Sequence, residues 1–102
     1  MIEIRNHSTS ILEHSKGKLF ESGPMRLMRL VLQKGERIAE HRAPGDITVH
    51  CIAGEIEFEV DDEKARLSED QLIHVADRKT HALAAIEDAL VLVTMILPQS
   101  ES

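Results

Sequence analysis

Lys34 to Phe58 reads KGERIAEHRAPGDITVHCIAGEIEF, and its punctuation decides the fold. Gly35 stands six positions before His41, Pro44-Gly45 marks a turn, and Gly54 closes a run of strand formers. The stretches between these breaks, Arg37–His41 and Thr48–Ala53, are too short for helices and fit strands. After Gly54 comes the clearest alternation in the chain, Glu55-Ile56-Glu57-Phe58-Glu59-Val60. Successive side chains of a strand point to opposite faces, so Ile56, Phe58 and Val60 are expected inside and the three glutamates outside. Beyond the Asp61-Asp62 turn, Lys64 and Arg66 return on the outer face, where they are expected to pair with Glu57 or Glu59. That carboxylate row reads as a solvated sheet face with basic partners, not as a metal trap.

The same rhythm runs outward in both directions. Further strands are expected at Ser10–His14, Lys18–Glu21, Met25–Leu32, Ala65–Leu67, Leu72–Val75, His81–Ile86 and Leu90–Leu97. Turn signals separate them at Lys16-Gly17, Gly23-Pro24, Lys34-Gly35, Asp77-Arg78 and Glu87-Asp88. No segment carries the apolar spacing of a long amphipathic helix, so the chain reads as an all-β barrel or sandwich. A length of 102 residues suits one domain. Residues 1–24 form its N-terminal strands and arm, 25–97 its barrel, and 98–102 a frayed tail.

Composition narrows the function classes. Eighteen acidic against twelve basic residues give a net charge of −6, which repels phosphate backbones and argues against nucleic acid and anionic membranes. Phe20 and Phe58 are the only aromatic side chains of the Phe, Trp and Tyr set, so there is no platform for stacking bases or sugars. Cys51 is the single cysteine, which precludes an intrachain disulfide and fits a reducing, cytoplasmic compartment. The start MIEIRNHS has no apolar run behind a basic segment, unlike a secretory signal. The longest apolar run, Ala89 to Leu97, is nine residues and too short for a membrane helix.

The spacing around His41 resembles the first signature of the small cupin barrels: glycine, five residues, His-x-His, three or four residues, glutamate, six residues, glycine. Gly35, His41 and Gly54 match it; Ala43 replaces the second histidine and Ile47 falls at the glutamate. The second signature is glycine, five residues, Pro-x-Gly-x-x-His, three residues, asparagine. It lies over Asp70 to Ala85, with Asp70, Ala76 and Arg78 for Gly, Pro and Gly, His81 kept, and Ala85 for the asparagine. The phrase HALAAIEDALVLVTMI resembles the ending of short bacterial cupins. Covering Met25 to Leu97, the resemblance implies a double-stranded β-helix, the jelly-roll barrel of the RmlC-like cupins. It further implies a homodimer in which outer sheet faces pair.

His41 and His81 are the candidate metal ligands, because the resemblance places them on adjacent strands pointing into the barrel. One divalent ion (Fe, Mn, Ni or Zn) is the cofactor such a site would take, yet it normally needs three protein ligands. The bland reading is a pair of hydrogen-bonded histidines lining a pocket. Counting by twos from Ile47, Val49 and Cys51 also face inward, so Cys51 offers a soft thiolate, or else a small buried hydrophobe. Asp46 sits where turn chemistry suffices to explain it. His50 and His74 have the opposite parity and are expected to face out. Arg26 and Arg29 lie on opposite faces of one strand, so one of them can face the pocket. His7 and His14 carry no spacing signal. No nucleophile elbow, phosphate loop, CxxC or HExxH motif occurs, so catalytic residues are not assignable.

Two functions follow. One is a small-molecule-binding barrel with a degenerate metal site, its pocket formed by Met28, Leu30, Ile47, Val49, Cys51 and Leu83 around His41 and His81. The other is a metal-dependent enzyme, an oxygenase or isomerase, with non-standard ligands. A purely structural or partner-binding module is a third.

Overall fold

Apolar alternation broken by turn residues yields nine strands and no helix among residues 17–98, the part that the computed structural model describes. They are β1 (Gly17–Ser22), β2 (Met25–Leu32), β3 (Arg37–Arg42), β4 (Asp46–Ala53), β5 (Ile56–Val60), β6 (Glu63–Leu67), β7 (Gln71–Val75), β8 (Thr80–Ala85) and β9 (Ala89–Ile96). The expected strand at Ser10–His14, Lys16 of the expected turn, and the tail beyond Pro98 lie outside the described residues; Gly17 itself opens β1. Pairing lengthens several strands beyond the sequence expectation, β4 and β6 by two residues each at their start. Asp46 joins the ladder opposite Ile96, and Glu63 joins it opposite Val60.

The strands form two antiparallel sheets, β1-β2-β9-β4-β7 and β3-β8-β5-β6, which is the all-β jelly roll. The inner face of the first sheet carries Leu30, Val91 and Cys51 in one row across β2, β9 and β4. Met28, Val93 and Val49 form the next row, and Met95 with Ile47 the one after. The second sheet answers with Ile56, Phe58 and Leu83, and Ile56 and Phe58 are essentially fully buried, as alternation predicts. Val60, at the end of the hairpin, is only half-buried. On the outer face Lys64 Nζ lies 3.9 Å from Glu57, as expected. Arg66 instead reaches Glu55, at 3.1 Å, beyond the two glutamates the hairpin register suggested.

Two glycines are required by close backbone approach. Gly54 has φ +82°, and a Cβ there would stand 2.0 Å from the carbonyl oxygen of Asp88. Gly45 has φ +86°, and its Cβ would meet the carbonyl oxygen of Ile96 at 1.9 Å. The loop holding Gly45 is also tied to the loop before β8. Asp77 accepts from the Gly45 amide, its own amide donates to Asp46, and the Arg78 amide donates to the Ala43 carbonyl. These bonds fix the end of the barrel where His41 and His81 sit. No helix among the described residues is long and apolar enough to cross a membrane.

Candidate functional site

A bulge in β3 builds the site. Ile38 and His41 are three residues apart, so a regular strand would put them on opposite faces. The ladder with β8 slips between these residues, and both side chains turn inward, Ile38 opposite Leu83 and His41 opposite His81. The two imidazoles meet edge to face with ring centroids 4.2 Å apart. Phe58 stacks on His81 from below at 5.8 Å.

Each ring is held in one tautomer by the backbone carbonyl two residues before it. Nδ1 of His41 lies 3.0 Å from the Ala39 carbonyl and Nδ1 of His81 lies 3.1 Å from the Lys79 carbonyl. A carbonyl only accepts, so both Nδ1 atoms carry the proton and both Nε2 atoms keep a lone pair. His81 is 4% exposed and His41 is exposed. Burial holds the His81 pKa below the ordinary histidine value; the Lys79 carbonyl opposes this, and the neighbouring His41 adds a smaller depression. Repulsion between the two cations is therefore the lesser cause of the shift.

The rings line a cavity of about 210 Å³ together with Met28, Leu30, Ile38, Ala43, Ile47, Val49, Phe58, Leu83, Val93 and Met95. Five residues expected in such a pocket, Met28, Leu30, Ile47, Val49 and Leu83, stand in its wall. Cys51 does not. It points inward and is fully buried, but stays out of the chamber wall, its Sγ turned to the carbonyls of Ala53 and Gly54. Burial, aided by the charges of Glu55, Glu69 and Asp70, pushes this thiol up to about 11, so it is no thiolate at neutral pH. Ile38, Phe58, Ala43, Val93 and Met95 were not anticipated as wall residues. The last two become readable only through the β2–β9 register, which sets Met28 opposite Val93.

The remaining candidates lie elsewhere. His50 is half-buried on the outer face, 3.9 Å from Asp70, and His74 is exposed, donating to Asp46 at 3.2 Å. The other Asp46 oxygen accepts the Asp77 amide, so this residue closes a turn. Arg26 shares the inward parity of Met28 but sits at the rim, its Nε donating to Glu21 at 2.6 Å.

The donors do not fit a mononuclear divalent metal. Ala43 and Ile47, at the positions where cupin signatures carry a histidine and a glutamate, do line the cavity, but with alkyl groups. Among the described residues no group of three or more His, Cys, Asp or Glu side chains is placed to hold a metal ion. Two imidazoles fall short of the three protein ligands such a site requires.

Residues 28–97 match the cupin domain model. No curated protein matches the sequence. Among solved structures, a conserved protein of unknown function from Streptococcus pyogenes superposes with a TM-score of 0.81 at 24% identity, over 96% of this chain and 93% of that one. An RmlC-like cupin from Desulfovibrio desulfuricans gives 0.81 at 18%, over 94% and 97%. KdgF from Halomonas gives 0.77 at 19%, over 87% and 91%. At these identities the likeness is one of fold.

Proposed function

The chain belongs to the cupin family, and within it we propose a single-domain barrel that binds a small, largely apolar molecule carrying a hydrogen-bond donor. One observation carries this reading: the chamber wall is hydrocarbon and thioether except for two imidazoles whose Nδ1 atoms are already engaged. Two Nε2 lone pairs therefore await a donor from the ligand, while the apolar wall supplies affinity. A chamber of about 210 Å³ exceeds the roughly 150 Å³ that suffices for benzene in an apolar protein cavity. A substituted phenol or short branched alcohol suits it. Carboxylates suit it poorly, since His81 resists protonation.

The test is p-cresol added to protein with labelled histidines, followed by NMR. With about eight heavy atoms at roughly 0.5 kcal/mol each, the expected dissociation constant is about 1 mM. His41→Leu/His81→Leu removes the acceptors while keeping the wall apolar, and is expected to weaken binding about tenfold. Imidazole signals that do not move at ~10 mM p-cresol, a concentration about ten times that constant, overturn the reading. The metal-dependent oxygenase or isomerase is its rival. Near-stoichiometric Fe, Mn, Ni or Zn in untagged protein, lost in His41→Ala, would favour it.

A homodimer and a cytoplasmic location accompany this proposal. Met25 and Ile96, opposite each other on the outer face of the five-stranded sheet, and Leu72 further along it are exposed apolar side chains. Covering them with a second copy gains roughly 25 cal/mol per Å². A monomer in micromolar sedimentation runs rules the dimer out. The lone buried Cys51 suits a reducing compartment.

A further inference from the structure

The chamber contains a second pair of donor atoms facing the histidines. His41 and His81 belong to the four-stranded sheet, and Met28 on β2 and Met95 on β9 line the same chamber from the five-stranded one. In the β2–β9 ladder Met28 stands opposite Val93, which makes Met95 its diagonal neighbour on the same face. Every other wall residue is Leu, Ile, Val, Ala or Phe. The chamber thus offers two imidazoles, two thioethers and no carboxylate.

We propose that this chamber binds one Cu(I) ion, held by Nε2 of His41 and His81 and by the thioether sulfurs of Met28 and Met95. Charge and softness select this ion. Thioethers prefer Cu(I) over harder divalent ions, and imidazole suits copper as well. The Born cost of burying an ion grows with the square of its charge, so a divalent ion costs about four times as much in a wall without an anion. A filled d shell lets Cu(I) accept two, three or four ligands, so the histidine pair that is too small for Zn or Mn is sufficient to start a site. The Nδ1–H bonds to Ala39 and Lys79 are the outer contacts that orient metal-binding histidines. Methionine has three rotatable bonds and can move its sulfur onto the ion without backbone change. The proposal goes beyond the small-molecule reading, which needs Met28 and Met95 only as apolar wall.

Anaerobic titration of full-length protein with Cu(I) in competition with bicinchoninate tests it. The protein is expected to withdraw one equivalent, with nitrogen and sulfur neighbours in the copper X-ray absorption. Met28→Leu/Met95→Leu, a nearly volume-conserving change, is expected to remove the sulfur neighbours. It should weaken retention by more than the roughly 10–100-fold typical of losing an outer contact. Its melting temperature should shift by only a few degrees, and p-cresol binding is read separately on metal-free wild type, so that this proposal and the previous one can fail independently. His41→Leu/His81→Leu is expected to lose copper as well. The proposal fails if no copper is withdrawn. It fails equally if either double variant retains copper as wild type does, or if Cys51→Ser abolishes retention.

Discussion

Putting back the two missing donors tests whether their absence explains the poor fit to a divalent metal. In Ala43→His/Ile47→Glu the new side chains enter the chamber beside His41 and His81, since both positions stand in its wall. Ile47 is 4% exposed, so its loss removes about 1.5–3 kcal/mol of burial. An unpaired carboxyl in the same place costs a further 1–3 kcal/mol, roughly. The metal-free variant should thus be weaker by about 2.5–6 kcal/mol, a large part of the 5–15 kcal/mol typical of a domain. Urea unfolding in EDTA measures this, and Ala43→His alone serves as a milder companion. Zn²⁺ or Mn²⁺ at about a hundred times its dissociation constant should restore about 2.7 kcal/mol. Wild type should gain almost nothing from the same ions. Equal stabilisation of wild type would refute the claim that two imidazoles are too few. A folded variant that gains nothing from metal would refute the placement of positions 43 and 47.

Three further outcomes are expected. Gly54→Ala forces a Cβ against the Asp88 carbonyl at a φ of +82°, and should cost about 3 kcal/mol or more, lowering the melting temperature by roughly 12–24 °C. Arg78 has φ +62° and an exposed side chain 3.8 Å from Asp77, so Arg78→Gly should relieve backbone strain and stabilise by up to about 1 kcal/mol; a loss of that size by thermal unfolding contradicts it. His81 has a depressed folded pKa, so below about 6.5 the unfolded chain takes up the proton first and stability falls with pH until the folded pKa is passed. His81→Gln should flatten that decline in urea titrations from pH 7.5 to 5, and parallel curves for the two proteins would remove His81 as its source.

What the sequence disclosed follows from how local each signal is. β2 is found at Met25–Leu32, as expected, and β5 buries Ile56 and Phe58, because alternation and turn residues act over a few neighbours. The site was less legible because it depends on pairing between distant segments. Read alone, Arg37-Ile38-Ala39-Glu40-His41-Arg42 places Ile38 and His41 on opposite faces, and only the slipped ladder with β8 brings both inside. Parity correctly sends Cys51 inward, but its thiol turns to the carbonyls of Ala53 and Gly54 and stays out of the chamber wall, which parity does not disclose. Met95 was overlooked because its place opposite the histidines is set by register with β2, not by β9 itself.

The two cupin signatures mix demands of different kinds, and this chain separates them. Asp70 and Arg78 stand where the second signature has glycines, yet both keep left-handed backbones, φ +65° and +62°. Roughly 1–2 kcal/mol of conformational cost per residue is tolerated there because the turns into β7 and β8 require that geometry whatever the residue. Ala43 and Ile47 go the other way: they stand in the chamber wall where the signatures carry donors, but with alkyl side chains 7% and 4% exposed. A buried carboxylate and imidazole without a metal would be a desolvated polar pair, whereas alkyl groups there add to the core. The substitution therefore frees folding from a divalent ion. It leaves His41 and His81, with Nδ1 already bonded, in a soft apolar wall. That wall is the basis of both proposals, an uncharged donor ligand and a monovalent rather than a divalent cation.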